Sequence, residues 1–215
     1  MNRKLSITSF IFIIAPLFFA CNGPAKDEAR PHAPGSPVTL HAGGENYYLI
    51  DTIESVISWK GSNSFGVHRG FVNISKGELL IETGQLTGGA VEVDMKTIQD
   101  ESHQGNNGVI QHLKDPDFFY VKRFPIATID ITKVESIDEV NKMVTGNLTI
   151  KNITQDVSFP ASVEVQGSTV KATGKLVIDR TRWGVRYQSG KFFSNLADKT
   201  ISDSIEFDMK IVAKK

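Results

Sequence analysis

The sequence predicts an all-β domain, an antiparallel sandwich or barrel, on three observations. Residues 204–211 alternate polar and apolar without error and residues 157–165 do the same, which is the period of a strand with one dry face. About ten short segments of this kind follow one another from Tyr47 onward, and Gly, Asn, Asp or Pro residues punctuate most of the gaps. Many short strands at such spacing pack as a sandwich or close as a barrel.

In chain order the strand candidates are 48–51, 56–60, 69–74, 78–82, 89–95, 127–134, 143–151, 157–165, 169–178 and 204–211. Pro160 lacks an N–H for the ladder, so its strand is expected at an edge or a bulge. One segment, 105–119, breaks the pattern. Val109, Ile110 and Leu113 are spaced like one helical face and Pro116 stops the run, which predicts a short helix across one end of the β structure.

At 215 residues, 40% hydrophobic and 22% charged, the chain is expected to form one domain plus a tail. Its 24 basic and 24 acidic residues balance, so no global field favours nucleic acid. The tail opens with Arg3 and Lys4, then an apolar run to Ala20 interrupted by Pro16, which reads as a secretory signal peptide over residues 1–20. Without it 22 basic residues face 24 acidic ones, a net charge of −2, and nucleic acid binding is not expected. The only cysteine, Cys21, ends the apolar run directly after Ala20, a placement that resembles the lipobox of bacterial lipoproteins. The expectation is a lipidated Cys21 and a membrane-anchored protein in the envelope of a Gram-negative-type bacterium. Cleavage after Ala25 would instead leave a soluble periplasmic protein. Residues 21–46 hold four of the eight prolines and little periodic apolar character, so they read as a tether, with His32 and His41 as solvated histidines.

The domain over 47–215 lacks a GxSxG elbow, an HExxH pair, a P-loop and a helix-opening GxGxxG. His103 and His112 lie near Asp100, Glu101, Asp115 and Asp117, but their nine-residue gap is no metal-ligand spacing. They read as a loop histidine and a helix-face histidine, and no metal or cofactor is assigned. Aromatics concentrate in irregular segments, with Phe118, Phe119 and Phe124 after the helix and Trp183, Tyr187 and Phe192 before the last strand. Such clustering suggests a pocket mouth. Trp59 and Phe71 join them as candidate ligand contacts on strands. Arg180 and Arg182, beside Trp183, suit a phosphate or carboxylate head group or a locally hydrogen-bonded turn, and His68 near Gly70 is a further head-group candidate.

Read in order, several motifs resemble the YceI-like family of lipid- or polyisoprenoid-binding domains. They are Tyr48-Leu49-Ile50-Asp51, Ser58-Trp59-Lys60-Gly61, His68-Arg69-Gly70 and the run from Gly88 to Met95. The most specific is His112-Leu113-Lys114-Asp115-Pro116-Asp117-Phe118-Phe119 with Phe124-Pro125 downstream, followed by Gly146 to Ile150 and Asp179 to Gly184. The likeness is to a lipoprotein-like bacterial branch. It implies an extended lipocalin-like antiparallel barrel of eight strands with a helix near its opening, holding an isoprenoid or fatty chain non-covalently and without catalysis. The competing function is an envelope hydrolase or metal-binding protein using His68, His103 or His112.

Overall fold

The structure, a computed structural model, describes residues 36–41, 44–101 and 108–215. Nine strands run β1 (Tyr47–Ile50), β2 (Val56–Asn63), β3 (Gly66–Glu82), β4 (Gln85–Asp100), β5 (Ile126–Ser136), β6 (Asn141–Ile150), β7 (Ile153–Gln166), β8 (Thr169–Asp179) and β9 (Ser204–Lys214). Among the described residues one α-helix, α1 (Gly108–Lys114), lies between β4 and β5. All pairings are antiparallel, in the order β1-β3-β2-β9-β8-β7-β6-β5-β4, and β3 also pairs with β4, so the sheet closes on itself.

Nine strands make an eight-slot barrel because β1 and β2 share one slot between β3 and β9. β2 pairs with Gly66 to Val72 of β3 and Glu206 to Lys210 of β9; β1 pairs with Glu78 to Leu80 of β3 and Ala213 to Lys214 of β9. The join is stitched by side chains. The Val212 carbonyl accepts the Asp51 amide and the buried Ser55 hydroxyl, and the Val212 amide donates to the same hydroxyl in place of a backbone acceptor. Asp51 accepts the amides of Ile53 and Glu54 and binds the Lys214 ammonium at 2.7 Å. That ammonium is the main reason the Asp51 carboxyl is held below its ordinary value. The closed barrel with one short helix is the architecture that the resemblance implies.

Two of the separate strand candidates, 69–74 and 78–82, turn out to be one long strand, β3. Its alternation is interrupted because the β3–β4 register shifts between Phe71 and Asn73 and again between Ile74 and Lys76. Bulges bend a strand and reverse its parity without ending it. Pro160 lies within β7; its ladder to β8 begins only at the next residue, Ala161, so the missing N–H falls where the strands part. The expected helix over 105–119 is shorter, ending at Lys114 ahead of Pro116.

The tether also ends sooner than residue 46. Val38 is buried, its amide donating to Glu92, while the His41 amide and ring bond Glu78 and the ring stacks on Tyr47 at 4.4 Å. Glu78 and Glu92 point to the outer face of the barrel, yet both are buried because residues 36–41 cover them. His41 stays exposed, as expected, and also serves as a docking contact. Cys21, His32 and His103 fall outside the described residues, as does the signal-peptide segment.

Candidate functional site

The inward positions at one end of the barrel do not meet. They leave a cavity of about 390 Å³, within the usual range for small-molecule sites. Its walls are mainly aliphatic and aromatic: Ile57 and Trp59 from β2, Val72 from β3, Val93, Met95 and Ile98 from β4, Leu148 from β6, Leu176 from β8, and Phe207 and Met209 from β9. Met95 and Ile98 both face inward although three residues apart. A loop-out of β4 between Asp94 and Gln99, tied by the Met95 amide to the Pro125 carbonyl and by Thr97 to the Asn73 amide, makes this possible.

Across the opening lie α1, the Phe118-Phe119 turn and the long β8–β9 connection. α1 contributes Val109, His112 and Leu113. The turn is held by Asp115, whose carbonyl accepts the amides of Phe118 and Tyr120, and it sets Phe118 and Phe119 edge to face at 5.0 Å. Tyr187 closes over His112, with ring centroids 4.3 Å apart.

Of the sequence-based candidates, the structure brings Trp59, His68, Phe118, Phe119, Arg180 and Tyr187 together around this cavity. Trp59 reaches its place because Gly70 has no side chain. A Cβ there would lie 1.7 Å from the Gln99 carbonyl, which instead accepts the Trp59 indole N–H at 3.1 Å. His68 faces the buried Asp100 carboxylate at 3.6 Å.

Five candidates lie elsewhere. Phe71 has the opposite parity to Val72 and, paired with Ser58, falls on the outer face. Phe124 packs outside against Tyr120 and beneath Arg123. Arg182 is exposed and reaches Gln155 and Asp156 on the outer wall. Trp183 is fully buried in the core, its indole donating to the Leu148 carbonyl. Phe192 is half exposed beneath Arg186.

Arg180 borders the cavity, but three of its donors, one from each nitrogen, go to the chain itself. Nε donates to Ser202 O, Nη1 to Val185 O and Nη2 to Ile201 O, all within 3.0 Å, and Asp203 lies 3.3 Å away. Both ends of the 184–203 connection are thus pinned by one side chain. Burial pulls the guanidinium below its ordinary value, with Asp203 and Asp179 opposing. The preceding Asp179 caps the short 3-10 turn Arg180–Trp183, which Gly184 ends in the left-handed region at φ 71°.

His112 was read as a helix-face histidine and proves to be a wall of the site. Its Nδ1 faces Asp117 at 4.0 Å, and its Nε2 is buried with no hydrogen-bond partner among the described residues. His112, Asp115 and Asp117 also bring one ligand atom each within 4.8 Å of one another, although both aspartates are exposed. The sequence signal for this wall was the apolar spacing of Val109, Ile110 and Leu113, which fixes the inward face of α1 and leaves His112 at its edge.

A UPF0312 protein of Pseudomonas putida strain W619 is 30% identical over 114 residues, which cover 52% of this chain and 57% of that protein. The aligned stretch thus spans little more than half of the curated relatives' length. Among solved structures, BcnA of Burkholderia cenocepacia superposes with a TM-score of 0.64 at 20% identity, covering 77% of this chain and 99% of that one. A polyisoprenoid binding domain from Saccharophagus degradans, implicated in plant cell wall breakdown, superposes with a TM-score of 0.59 at 11% identity, covering 79% and 98%. These likenesses establish the fold. The model of the YceI-like domain matches residues 48–213, nearly the whole of the barrel, and the chain belongs to that family.

Proposed function

We propose that this protein is a lipid carrier of the bacterial envelope, holding one long apolar chain, an isoprenoid or fatty chain, non-covalently in its barrel and without catalysing a reaction on it. The observation that carries the reading is the cavity: about 390 Å³ of mainly apolar space inside a closed barrel, bordered at one end by α1 and the 184–203 connection. Each methylene moved from water into such a space contributes about 0.8 kcal/mol, so a long chain is held without a charged contact. The Saccharophagus relative, described as polyisoprenoid binding, supports the same class of ligand.

The polar end of the ligand meets His112 Nε2, a buried nitrogen that can donate to or accept from a hydroxyl, carbonyl or amide. Arg180 gives three of its N–H donors to backbone carbonyls and pairs its charge with Asp203, so an ionised head group would have to compete with those contacts. The tether, acylated at Cys21, would keep the barrel at a membrane.

The test is mass spectrometry of an organic-solvent extract of the purified protein, with metal analysis on the same sample. A near-stoichiometric long-chain lipid is the expected result. A lipid-free extract would overturn the reading, and stoichiometric metal in the same sample would favour a metal-dependent function built on the His112, Asp115 and Asp117 cluster.

A further inference from the structure

Three phenylalanines among the described residues are exposed: Phe65 at 81%, Phe192 at 46% and Phe193 at 50%. All three stand at the open end of the barrel. Phe65 is at the tip of the β2–β3 hairpin, two residues from the cavity-lining Asn63; Phe192 and Phe193 follow the cavity-lining Gln188. Hairpin and connection are joined side by side, through the Asn63–Ile201 bridge and the Ser202 amide bonded to Ser62 O.

The tips are built to hold these rings out. The Asn63 side chain accepts the amides of Phe65 and Gly66. The carbonyl of the fully buried Ser189 accepts the amides of both Phe192 and Phe193. Exposed cations accompany them: the Arg186 guanidinium lies 4.6 Å over the Phe192 ring, and Lys199 follows on the same connection. Lys191 braces the base of the connection through Asp179 and Asp203. The acidic pair Asp115 and Asp117 belongs to the other lip, beyond α1; on this lip the exposed Asp198 adjoins Lys199, which leaves Arg186 as the main cation.

From this we infer that the lip formed by Phe65, Phe192 and Phe193 is a docking edge for a phospholipid bilayer, inserting its three rings at the headgroup boundary while Arg186 and Lys199 meet lipid phosphates. Aromatic rings beside cations are the composition that seats a surface in the membrane interface. A bilayer is the partner that continues the apolar cavity: a chain leaving it between these rings passes into acyl chains and avoids water. The inference takes its purpose from the lipid-carrier reading, but its evidence lies outside the cavity.

Cys21 is the chain's only cysteine, so full-length Cys21→Ser is a thiol-free background. Into it go, singly, Phe65→Cys, Phe192→Cys and Phe193→Cys. The control is Ile137→Cys, at a site 62% exposed in the β5–β6 hairpin at the opposite end. Each carries a nitrobenzoxadiazole label and is mixed with vesicles of equal phosphatidylcholine and phosphatidylglycerol, with and without doxyl-labelled acyl chains. The three lip labels should shift to the blue and be quenched by the doxyl lipid, and the Ile137→Cys label should do neither. Because the readout is specific to each site, attachment through the N-terminal segment cannot mimic it. Water-like emission at the lip, or equal shifts at all four sites, overturns the proposal. If the solvent extract contains lipid but the lip labels stay water-like, only the docking edge fails; insertion with a lipid-free extract sinks the carrier reading alone.

Discussion

Replacing Arg180 by Gln separates a structural role from a ligand-binding one. The guanidinium is fully buried and bonds carbonyls at both ends of the 184–203 connection, Val185 on one side and Ile201 and Ser202 on the other, with Asp203 completing its shell. A glutamine amide reaches at most part of this set, leaving carbonyls and a partly buried carboxylate without their donor. Removing one partner of a buried charged pair destabilises by about 3–5 kcal/mol. The connection lies at the surface and water can reach its ends once it loosens, which favours the lower half of that range. For a chain of this size each kcal/mol moves the melting temperature by about 2–4 °C, so a fall of roughly 6–16 °C is expected. Urea unfolding followed through the buried Trp183 measures the free energy, and extraction measures retained lipid. Arg180→Lys is the discriminating companion. It keeps the charge but not the three-way fork, so it should lose most of the same stability. If both variants stay within about 0.5 kcal/mol of the parent and lose lipid instead, the clamp argument is wrong and Arg180 serves the ligand.

Four further outcomes follow from the same geometry. Phe118→Ala/Phe119→Ala should empty the cavity of lipid while costing less than the ~3–5 kcal/mol per ring of a solid core, because both rings already border open space; full lipid and full stability would refute their place at the mouth. Gly70→Ala places a methyl 1.7 Å from the Gln99 carbonyl and should displace Trp59, seen as a lowered urea midpoint and altered indole fluorescence; an unchanged midpoint would count against the close approach. Burial alone would raise the Asp179 carboxyl, but the Lys191 ammonium and the Thr181 hydroxyl and amide outweigh it and hold it below 3.8. Its stabilisation is therefore complete above that value and lost as pH falls through the lower folded value, and Asp179→Asn should flatten the acid limb of a stability–pH curve. Cys21→Ser should move the protein out of the detergent phase, and unchanged partitioning with an unmodified N-terminal peptide would remove the lipid anchor.

The barrel was legible in the sequence wherever a strand keeps its parity. Residues 204–211 and 157–165 alternate without error and became parts of β9 and β7. It was not legible where a bulge reverses parity, because the compensating partner sits on another strand: the break after Ile74 makes sense only against Val93 and Glu92 of β4. Phe71 was misplaced for a different reason. Val72 and Ile74 share a parity that leaves Phe71 with Asn73 on the outside, and that local signal outranks a preference for aromatics as ligand contacts. Arg180 could not be assigned locally, since two of its three carbonyl partners lie 21 and 22 residues further along the chain. The docked stretch over Glu78 and Glu92 was hidden as well. Polar, proline-rich composition reads as linker, and only burial of the two outward carboxylates reveals its contacts.

The two ends of the barrel are held by different means, and that difference bears on the proposed carrier function. Away from the cavity, Val163, Val170 and Ala213 fill the interior, and β1 completes the slot that β2 leaves, so opening there would break ladders and core together. At the cavity end the two covering elements are unequal. The 184–203 connection carries the buried Arg180 clamp, the fully buried Trp183 and Val185, and the Lys191 bridges to Asp179 and Asp203. α1 has seven residues, none of them buried, and is tied down by the Lys114 ammonium on the Lys96 carbonyl and by the half-buried Ile110 and Leu113. Segments with few buried contacts open locally at low free energy while the rest of a fold stays intact. If the barrel carries a lipid as proposed, the side of α1, His112 and Phe118 is where a chain would be expected to enter, beside the clamped connection. The same clamp also keeps Phe192 and Phe193 extended beside the opening.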